Sequence, residues 1–243
     1  MGIKERRQRE FLDREKVFLD AARDLIRDEG LLGFQMARLA ELCEYSVGTL
    51  YQHFGSKEDL LVALTTATAT EHVSLFARVA DWQAPSRERL FAIAVADSIF
   101  VQRNPEYFRI AQYTFCEVVW GAASPARRAE FMAQTAEPIS DIVNGIIADA
   151  VAGGDLLLGG LTEESLAVGF WALTCGVHDL VHAEGVCEAY QSQDPYRLLC
   201  RHTNVMLNGF GWKPVVDPHD EVALDALIHR IQNEVFHDLC DHA

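Results

Sequence analysis

The apolar residues of this 243-residue chain recur at a spacing of three to four, which is typical of one face of an α-helix. No segment shows the alternation of apolar and polar residues that a strand requires, and there is no internal repeat. Proline and glycine clusters separate the helical segments. The predicted helices are 10–28, 36–43, 47–53, 56–81, 87–103, one from Pro105 with apolar residues as far as Val119, 126–133, 138–151, 162–184, 194–209 and 221–239. The pattern therefore predicts an all-α protein.

Residues 35–57 are predicted to form two short helices joined by a tight turn. Ser46 is a suitable N-cap for the second helix, because its hydroxyl can accept from a free backbone N–H of the first turn. That helix is too short to be stable alone, so Leu50 and Phe54 should anchor it to the first. The side chains then left facing outward are Thr49, Tyr51, Gln52 and His53. A short supported helix that presents such polar groups suits the major groove of DNA.

The segment from about Arg14 to Leu64 resembles the DNA-binding domain of the tetracycline-repressor (TetR) family. The resemblance is carried by LAELCEYS followed by GTLYQHFGSKEDLL, and its elements occur in order and without gaps. These elements are a helix ending at Glu29-Gly30, then Phe34, Leu39-Ala40, Ser46, Gly48-Thr49-Leu50-Tyr51, His53-Phe54 and Lys57. The resemblance implies a three-helix, helix-turn-helix DNA-binding domain over residues 1–60. It also implies a larger, helical ligand-binding and dimerisation domain over residues 61–243.

Two positions depart from the family pattern. Glu44 stands at the turn where the family usually has glycine, the natural residue for a positive φ. Strain or a different turn is therefore expected there. Gln35 stands where the family usually has serine or threonine, which weakens the cap of the first short helix.

The resemblance also implies which residues contact DNA. Gly48 and Thr49 would approach base edges, Gln52 could pair with adenine, and Lys57 would contact phosphate beside a helix N-terminus. For Tyr51 the alternative is packing against the first helix, and for His53 it is a plain surface position. The predicted DNA-contacting set is Gln35, Met36, Val47, Gly48, Thr49, Tyr51, Gln52, His53 and Lys57.

The net charge of −15 is unusual for a DNA-binding protein, but its distribution is uneven. Residues 1–60 carry a balance of −2 and residues 61–243 a balance of −13. Near the N-terminus, Lys4, Arg6, Arg7 and Arg9 form a basic arm that either follows DNA phosphates or is a frayed, solvated end. The acidic remainder disfavours non-specific adhesion to nucleic acid.

Three further features concern the cellular setting of the protein. No run of 18 apolar residues lacks charge, so no membrane span is predicted. The N-terminus has no apolar region typical of a secretory signal. The six cysteines are scattered without a CxxC pair, which favours free thiols. We therefore expect a cytoplasmic protein.

In the larger domain, the resemblance implies a ligand cavity and a homodimer in which helices 162–184 and 194–209 pair across a two-fold axis. The helix at 221–239 is additional to the commonest family pattern. Aromatic side chains on converging helices either line the cavity or form plain core. The candidate ligand-binding residues are Asp97, Phe100, Gln112, Phe115, Trp171 and His178.

Several polar residues interrupt apolar helical faces. A buried carboxylate needs a partner, so Asp97 or Glu117 should pair with a histidine or an arginine. The alternative is a metal site, because His178 and His182 are four residues apart and face the same way. Glu117 or Asp97 could then complete a two-histidine, one-carboxylate set. No cofactor is required by the resemblance, and a bound transition metal is the open alternative.

These observations predict a ligand-responsive transcriptional repressor that is not an enzyme. It would bind palindromic double-stranded operator DNA as a homodimer and be released by a small, largely apolar effector. Alternatives are a regulator that senses a metal, an all-α metal-dependent enzyme, and a helical interaction module that has lost DNA binding. The chain has no nucleophile motif, phosphate loop or dinucleotide fingerprint, which disfavours the enzyme.

Overall fold

The computed structural model describes residues 2–183, 185–189 and 194–240. Within these ranges the chain forms thirteen α-helices and no strand, which confirms the predicted all-α class. The helices are α1 (Ile3–Glu29), α2 (Met36–Leu42), α3 (Val47–His53), α4 (Lys57–Asp81), α5 (Ser86–Arg103), α6 (Pro105–Thr114), α7 (Glu117–Ala122), α8 (Pro125–Phe131), α9 (Glu137–Ala152), α10 (Glu163–His182), α11 (Val186–Ala189), α12 (Pro195–Gly209) and α13 (Glu221–Val235).

The short helices of the predicted helix-turn-helix lie where the capping signals place them. The bounds of α3 are the predicted ones, and the Ser46 hydroxyl accepts from the Thr49 N–H at 3.0 Å. The Thr162 hydroxyl caps α10 in the same way, and the Asp194 carboxylate caps α12. The capping side chains therefore predicted correctly where these three helices begin.

Helix α1 begins seven residues earlier than predicted, at Ile3. The Gly2 N–H donates to Glu5 at 2.8 Å, and Arg6 pairs with Glu10 one turn later at 3.0 Å. These contacts extend the helix, so Lys4, Arg6, Arg7 and Arg9 form exposed helical turns rather than a frayed end. Their contact with DNA phosphates stays a prediction. At the other end, Gly30 stops the helix with a φ of +77°, which glycine adopts without steric cost.

The predicted helix from Pro105 to Val119 is two helices, α6 and α7. Cys116 has extended backbone between them, and Thr114 before it is fully buried with its hydroxyl 3.2 Å from that of Thr65. Conversely, the two helices predicted at 126–133 and 138–151 are continuous through one π-helical turn, Met132–Ala136. Pro138 has no N–H to donate to residue 134, which accounts for the wider turn.

Two other helix ends differ from prediction. Helix α10 ends at His182, and the predicted end at Glu184 lies outside the described residues. Helix α13 ends at Val235, four residues before the predicted end.

The chain divides into two compact units. The first comprises the residues up to Thr70 together with Pro105–Thr135. Its core joins α1, α2, α3 and the start of α4, and the fully buried residues include Phe18, Leu39, Leu50, Phe54 and Leu60. This unit contains more than residues 1–60, and the functional boundary at residue 60 stays a prediction.

The second unit comprises Glu71–Asn104 and the residues from Ala136 onward. Helix α5 lies at its centre, buried on nearly every side and packed against α9, α10, α12 and α13. The additional helix α13 is held by polar contacts as well as by its apolar face. The Trp82 indole N–H donates to Glu234 at 2.9 Å, and Arg230 pairs with Glu88.

One described helix, α4, is long and apolar enough to cross a membrane by length and composition alone. Of its most apolar 18-residue window, 56% is buried within the structure, as in the core helix of a folded domain.

Candidate functional site

The outward face of α3 is the first candidate site. Leu50 and Phe54 are fully buried and anchor the helix to α1 and α2. Tyr51 is 48% exposed and Gln52 is also exposed, so both face outward as predicted. Thr49 is half-buried, and its hydroxyl lies 2.8 Å from that of Ser46. Val47 and Gly48 are exposed at the helix start. This face combines a phenol, an amide and open backbone, the groups that read base edges and phosphates.

Two predicted DNA-contacting side chains are buried instead. The prediction that His53 faces outward is wrong: its imidazole stacks on Phe11 with ring centroids 3.9 Å apart and meets the edge of Phe18. Burial lowers the pKa of His53, so the ring is neutral at pH 7. Met36 is 8% exposed and belongs to the core of the first unit. Because neither side chain reaches the surface, the structure places neither among the exposed residues of the predicted set.

Lys57 and Gln35 lie on the flanks of this face. The Lys57 ammonium donates to the carbonyl of Phe34 at 3.1 Å and approaches that of Leu31 at 3.5 Å. It therefore holds the α1–α2 connection, and an ammonium has a third N–H for another acceptor. Gln35 is exposed at the N-cap of α2 and its side chain makes no cap hydrogen bond, as its residue type predicted.

The turn between α2 and α3 carries the expected strain. Glu44 has a φ of 58°, and it is the non-glycine residue with positive φ among the residues described. A side chain in this left-handed conformation costs roughly 1–2 kcal/mol. Of the two expected outcomes, strain and a different turn, the positive φ of Glu44 therefore indicates strain.

Replacing Glu44 by glycine is expected to raise the free energy of unfolding by about 0.5–1 kcal/mol. The relief of strain exceeds the extra chain entropy that glycine brings to the unfolded state. Urea unfolding followed by circular dichroism measures this, with Glu41→Gly in the regular part of α2 as the control. Glu41→Gly should destabilise by a similar amount, and a loss of stability in Glu44→Gly would contradict the strain.

The second candidate site is a buried polar centre in the second unit. The Asp97 carboxylate of α5 lies between two imidazoles, accepting from His178 Nε2 of α10 and lying 2.8 Å from His72 Nε2 of α4. Burial opposes its charge, but the hydrogen bonds from His178 and His72 outweigh burial and hold the pKa of Asp97 well below its usual range. The charged carboxylate therefore cross-links three helices.

Aromatic rings surround this centre. The His72 imidazole stacks on Phe100 at 4.3 Å with the two planes 2° apart, and its edge meets Phe76. The ring of Tyr196 lies 5.9 Å from that of His178. Burial raises the pKa of Tyr196, as does the nearby charge of Asp97. The rings of Phe76, Phe100 and Tyr196 thus make the surroundings of this centre largely apolar.

The predicted ligand-binding set is only partly assembled here. Asp97 pairs with His178, and Phe100 joins them through His72, which contacts both Asp97 and Phe100. The sequence analysis did not single out His72. Gln112 and Phe115 belong to the first unit, and both are exposed. Trp171 is 68% exposed, so its predicted place in the lining of a cavity is wrong.

The predicted metal set is not assembled either. Glu117 is exposed and belongs to the first unit, and the Nε2 of His178 is engaged by Asp97. No group of three or more histidine, cysteine, aspartate or glutamate side chains in the described ranges could hold a metal ion. The structure instead has the alternative to the metal site, in which Asp97 pairs with histidine.

Comparison with known protein families gives a match within the first unit. Residues 18–64 match the family model described as "Bacterial regulatory proteins, tetR family". The chain carries the DNA-binding domain of the TetR family. The match covers α2 and α3 together with the C-terminal part of α1 and the start of α4. No curated protein matches the chain.

Solved structures of TetR-family regulators share the fold over most of the chain. A TetR/AcrR-family regulator from Thermobifida fusca superposes with a TM-score of 0.61 at 21% identity, covering 82% of this chain and 98% of its own. A tetR-family regulatory protein from Rhodococcus RHA1 gives 0.60 at 20% identity, over 82% and 97% of the two chains. FadR from Bacillus subtilis, solved in complex with stearoyl-CoA, gives 0.59 at 15% identity, over 83% and 99%. At these identities the comparison establishes a TetR-type fold.

Proposed function

We propose that this TetR-family protein is a transcriptional repressor. It binds palindromic operator DNA as a homodimer and is released by a small, largely apolar effector. The observation that carries the proposal is the exposed face of α3, where Tyr51 and Gln52 point outward from a helix anchored by Leu50 and Phe54. A seven-residue helix held in this way can enter a major groove with its side chains aimed at base edges.

In this proposal the DNA-contacting residues are those of the predicted set that are not buried. Gly48, Thr49 and Gln52 contact base edges, whereas Lys57 and Tyr51 contact phosphates or bases. Gln35 and Val47 lie at the starts of the two helices, where open backbone N–H groups attract phosphate. Because the whole chain is acidic, affinity depends on these local contacts rather than on a general positive field.

The homodimer is supported by apolar side chains exposed on α10 and α12, two helices that pack together. They are Val168, Trp171, Leu180, Leu198 and Val205. Apolar patches that combine an exposed tryptophan with aliphatic residues mark association sites, and a second copy of the same two helices would cover them. Light scattering of the purified protein should therefore give twice the chain mass of 27.2 kDa.

The effector is proposed to bind in the second unit. The apolar surroundings of the buried centre, with Phe76, Phe100 and Tyr196 close to the two imidazoles, favour a largely apolar molecule. FadR from Bacillus subtilis, which has this fold, was solved in complex with stearoyl-CoA, a molecule with a long apolar chain, and this supports the proposal. Mass spectrometry of molecules that co-purify with the protein tests this part of the proposal.

The test of DNA binding uses duplexes that the purified protein selects from a randomised pool. Against a selected duplex, Tyr51→Ala is expected to weaken binding by about tenfold or more, because one good contact to DNA is worth about 1–3 kcal/mol. The matched control is Tyr113→Ala, a tyrosine of α6 that is 39% exposed. Fluorescence anisotropy at several salt concentrations measures both variants.

Failure to select any duplex at low salt would contradict the proposal and favour the interaction module without DNA binding. Selection by a monomer, or equal affinities of Tyr51→Ala and the unmodified protein, would contradict the proposed geometry.

A further inference from the structure

One arginine of the first unit contacts both the C-terminal end of α3 and helix α1. Arg127 Nη2, on α8, donates to the backbone carbonyl of His53 at 3.0 Å and to the Glu15 carboxylate at 2.7 Å. Its Nη1 donates to Glu130 at 2.8 Å, and its guanidinium lies 5.3 Å from the centre of the Phe54 ring. The side chain is 17% exposed. It is therefore held on several sides.

The carbonyl of His53 is a critical acceptor for α3. The last four carbonyls of a helix have no partner within the helix, and in a seven-residue helix these are more than half of the total. A guanidinium at this end satisfies one carbonyl and places a positive charge at the negative end of the helix dipole. Arg127 thereby restrains the C-terminal turn of α3.

The side chain of His53 reinforces the same contact. Its imidazole stacks on Phe11, and its Nδ1 lies 3.6 Å from the Glu15 carboxylate that also accepts from Arg127. Arg127, Glu15 and His53 therefore form one partly buried cluster that connects α8, α1 and α3. Burial of His53, which removed it from the DNA-contacting set, gives it this role instead.

A second bond fixes α8 relative to α4. The backbone N–H of Ser124, at the start of α8, donates to the buried carboxylate of Asp59 at 2.7 Å. The segment that carries these two bonds, Pro105–Thr135, is continuous at both ends with residues of the second unit. It is thus a piece of chain bonded to the DNA-binding helices and covalently tied to the remainder.

We infer that Arg127 is a positioning residue for the recognition helix: it sets the orientation of α3 for DNA without contacting DNA itself. This inference rests on the proposed function, because a positioned α3 matters only if α3 reads DNA. A displacement of the segment 105–135 acts on α3 through this arginine. Loss of the contact frees the C-terminal turn of α3 and weakens DNA binding.

The test compares Arg127→Met with Arg128→Met, the adjacent arginine, whose Nη1 lies 3.5 Å from the carbonyl of Trp120. In the protein without DNA, Arg127→Met should speed amide hydrogen exchange at Leu50 and Phe54 by about tenfold or more. This follows because a hydrogen bond to a charged group is worth roughly 1.5–3 kcal/mol. Exchange in α5 should stay unchanged, which separates a local effect from general destabilisation.

With a selected duplex, Arg127→Met should bind about tenfold more weakly at an unchanged salt dependence, whereas a lost phosphate contact would reduce the slope of log affinity against log salt by about 0.9. Arg127→Lys, which keeps the charge on one donor nitrogen but loses the guanidinium fork, should recover part of the affinity and part of the exchange protection.

Three results would overturn the inference: unchanged exchange in α3, a reduced salt slope, or equal effects of Arg127→Met and Arg128→Met. If the unmodified protein selects no duplex, the proposed function fails. The exchange measurement then still decides whether Arg127 restrains α3. Should Arg127→Met not fold, Arg127→Lys carries both measurements.

Discussion

Replacing Asp97 by alanine is expected to lower the free energy of unfolding by about 3–5 kcal/mol. The substitution leaves the N–H groups of His72 and His178 without their carboxylate in an apolar environment, and each such group costs about 1–3 kcal/mol. It also removes the cross-link between α4, α5 and α10. For a chain of this length the melting temperature should fall by on the order of 10 °C, measured by calorimetry.

The matched control is Asp149→Ala on α9. Its carboxylate pairs with Arg89 at 2.7 Å but is 63% exposed, so its removal should cost less than about 1 kcal/mol. Equal effects of the two substitutions would show that the buried centre contributes no more than a surface pair.

The contribution of Asp97 should also depend on pH in a definite direction. Because the folded protein depresses the pKa of this carboxyl, its stabilising effect is complete above the unfolded value of about 3.9 and is lost as the pH falls below it. The difference in stability between the unmodified protein and Asp97→Ala should therefore shrink as the pH is lowered from about 5 to about 3. A difference that grows on acidification would contradict the charged state of Asp97.

Replacing Arg87 by methionine is expected to cost about 3 kcal/mol or more in the free energy of unfolding. Arg87 is 3% exposed, and its guanidinium donates to the carbonyl of Trp212 at 2.8 Å and to the side chains of Asn204 and Asn208. Burial lowers the pKa of Arg87 to about 10, so it remains charged at pH 7. Methionine has similar length but leaves the carbonyl of Trp212 and the amide oxygen of Asn204 without this donor near the end of α12.

Arg103→Met on the same helix is the control for Arg87→Met. Arg103 pairs with Glu71 at 3.1 Å while 45% exposed, and its loss should cost less than about 1 kcal/mol. Chemical unfolding at pH 7 compares the two variants. A cost below about 1 kcal/mol for Arg87→Met would mean that the relief from burying a charge offsets the lost hydrogen bonds.

How far the sequence predicted the sites depends on the range of the interactions involved. The bounds of α3 were predictable because Ser46 caps it and Leu50 and Phe54 anchor it, all within nine residues. The strain at Glu44 was predictable because backbone conformation at a tight turn is a local property. The role of His53 was not predictable. Its imidazole packs on Phe11, forty-two positions earlier, and its backbone carbonyl accepts from Arg127 of α8.

The buried centre shows the same limit. Asp97 stood out as a charge in an apolar helix, and pairing with histidine was among its predicted partners. Of its two histidines, His178 was a candidate, but His72 carried no signal because its neighbours on α4 do not show which helix it faces. Trp171 was a candidate for the cavity lining because its helix was expected to converge with others, and only the packing of α10 shows that it is exposed.

By itself the sequence determined the helical class, the starts of the capped helices and the helix-turn-helix of the TetR family. Helical periodicity, capping and turn chemistry act over a few residues, and they are therefore readable along the chain. Only the tertiary structure decided that Arg127 holds the end of α3, that His72 completes the Asp97 centre and that His53 is buried. Each of these contacts joins residues that are distant in sequence, and their approach depends on how whole helices pack rather than on any local preference.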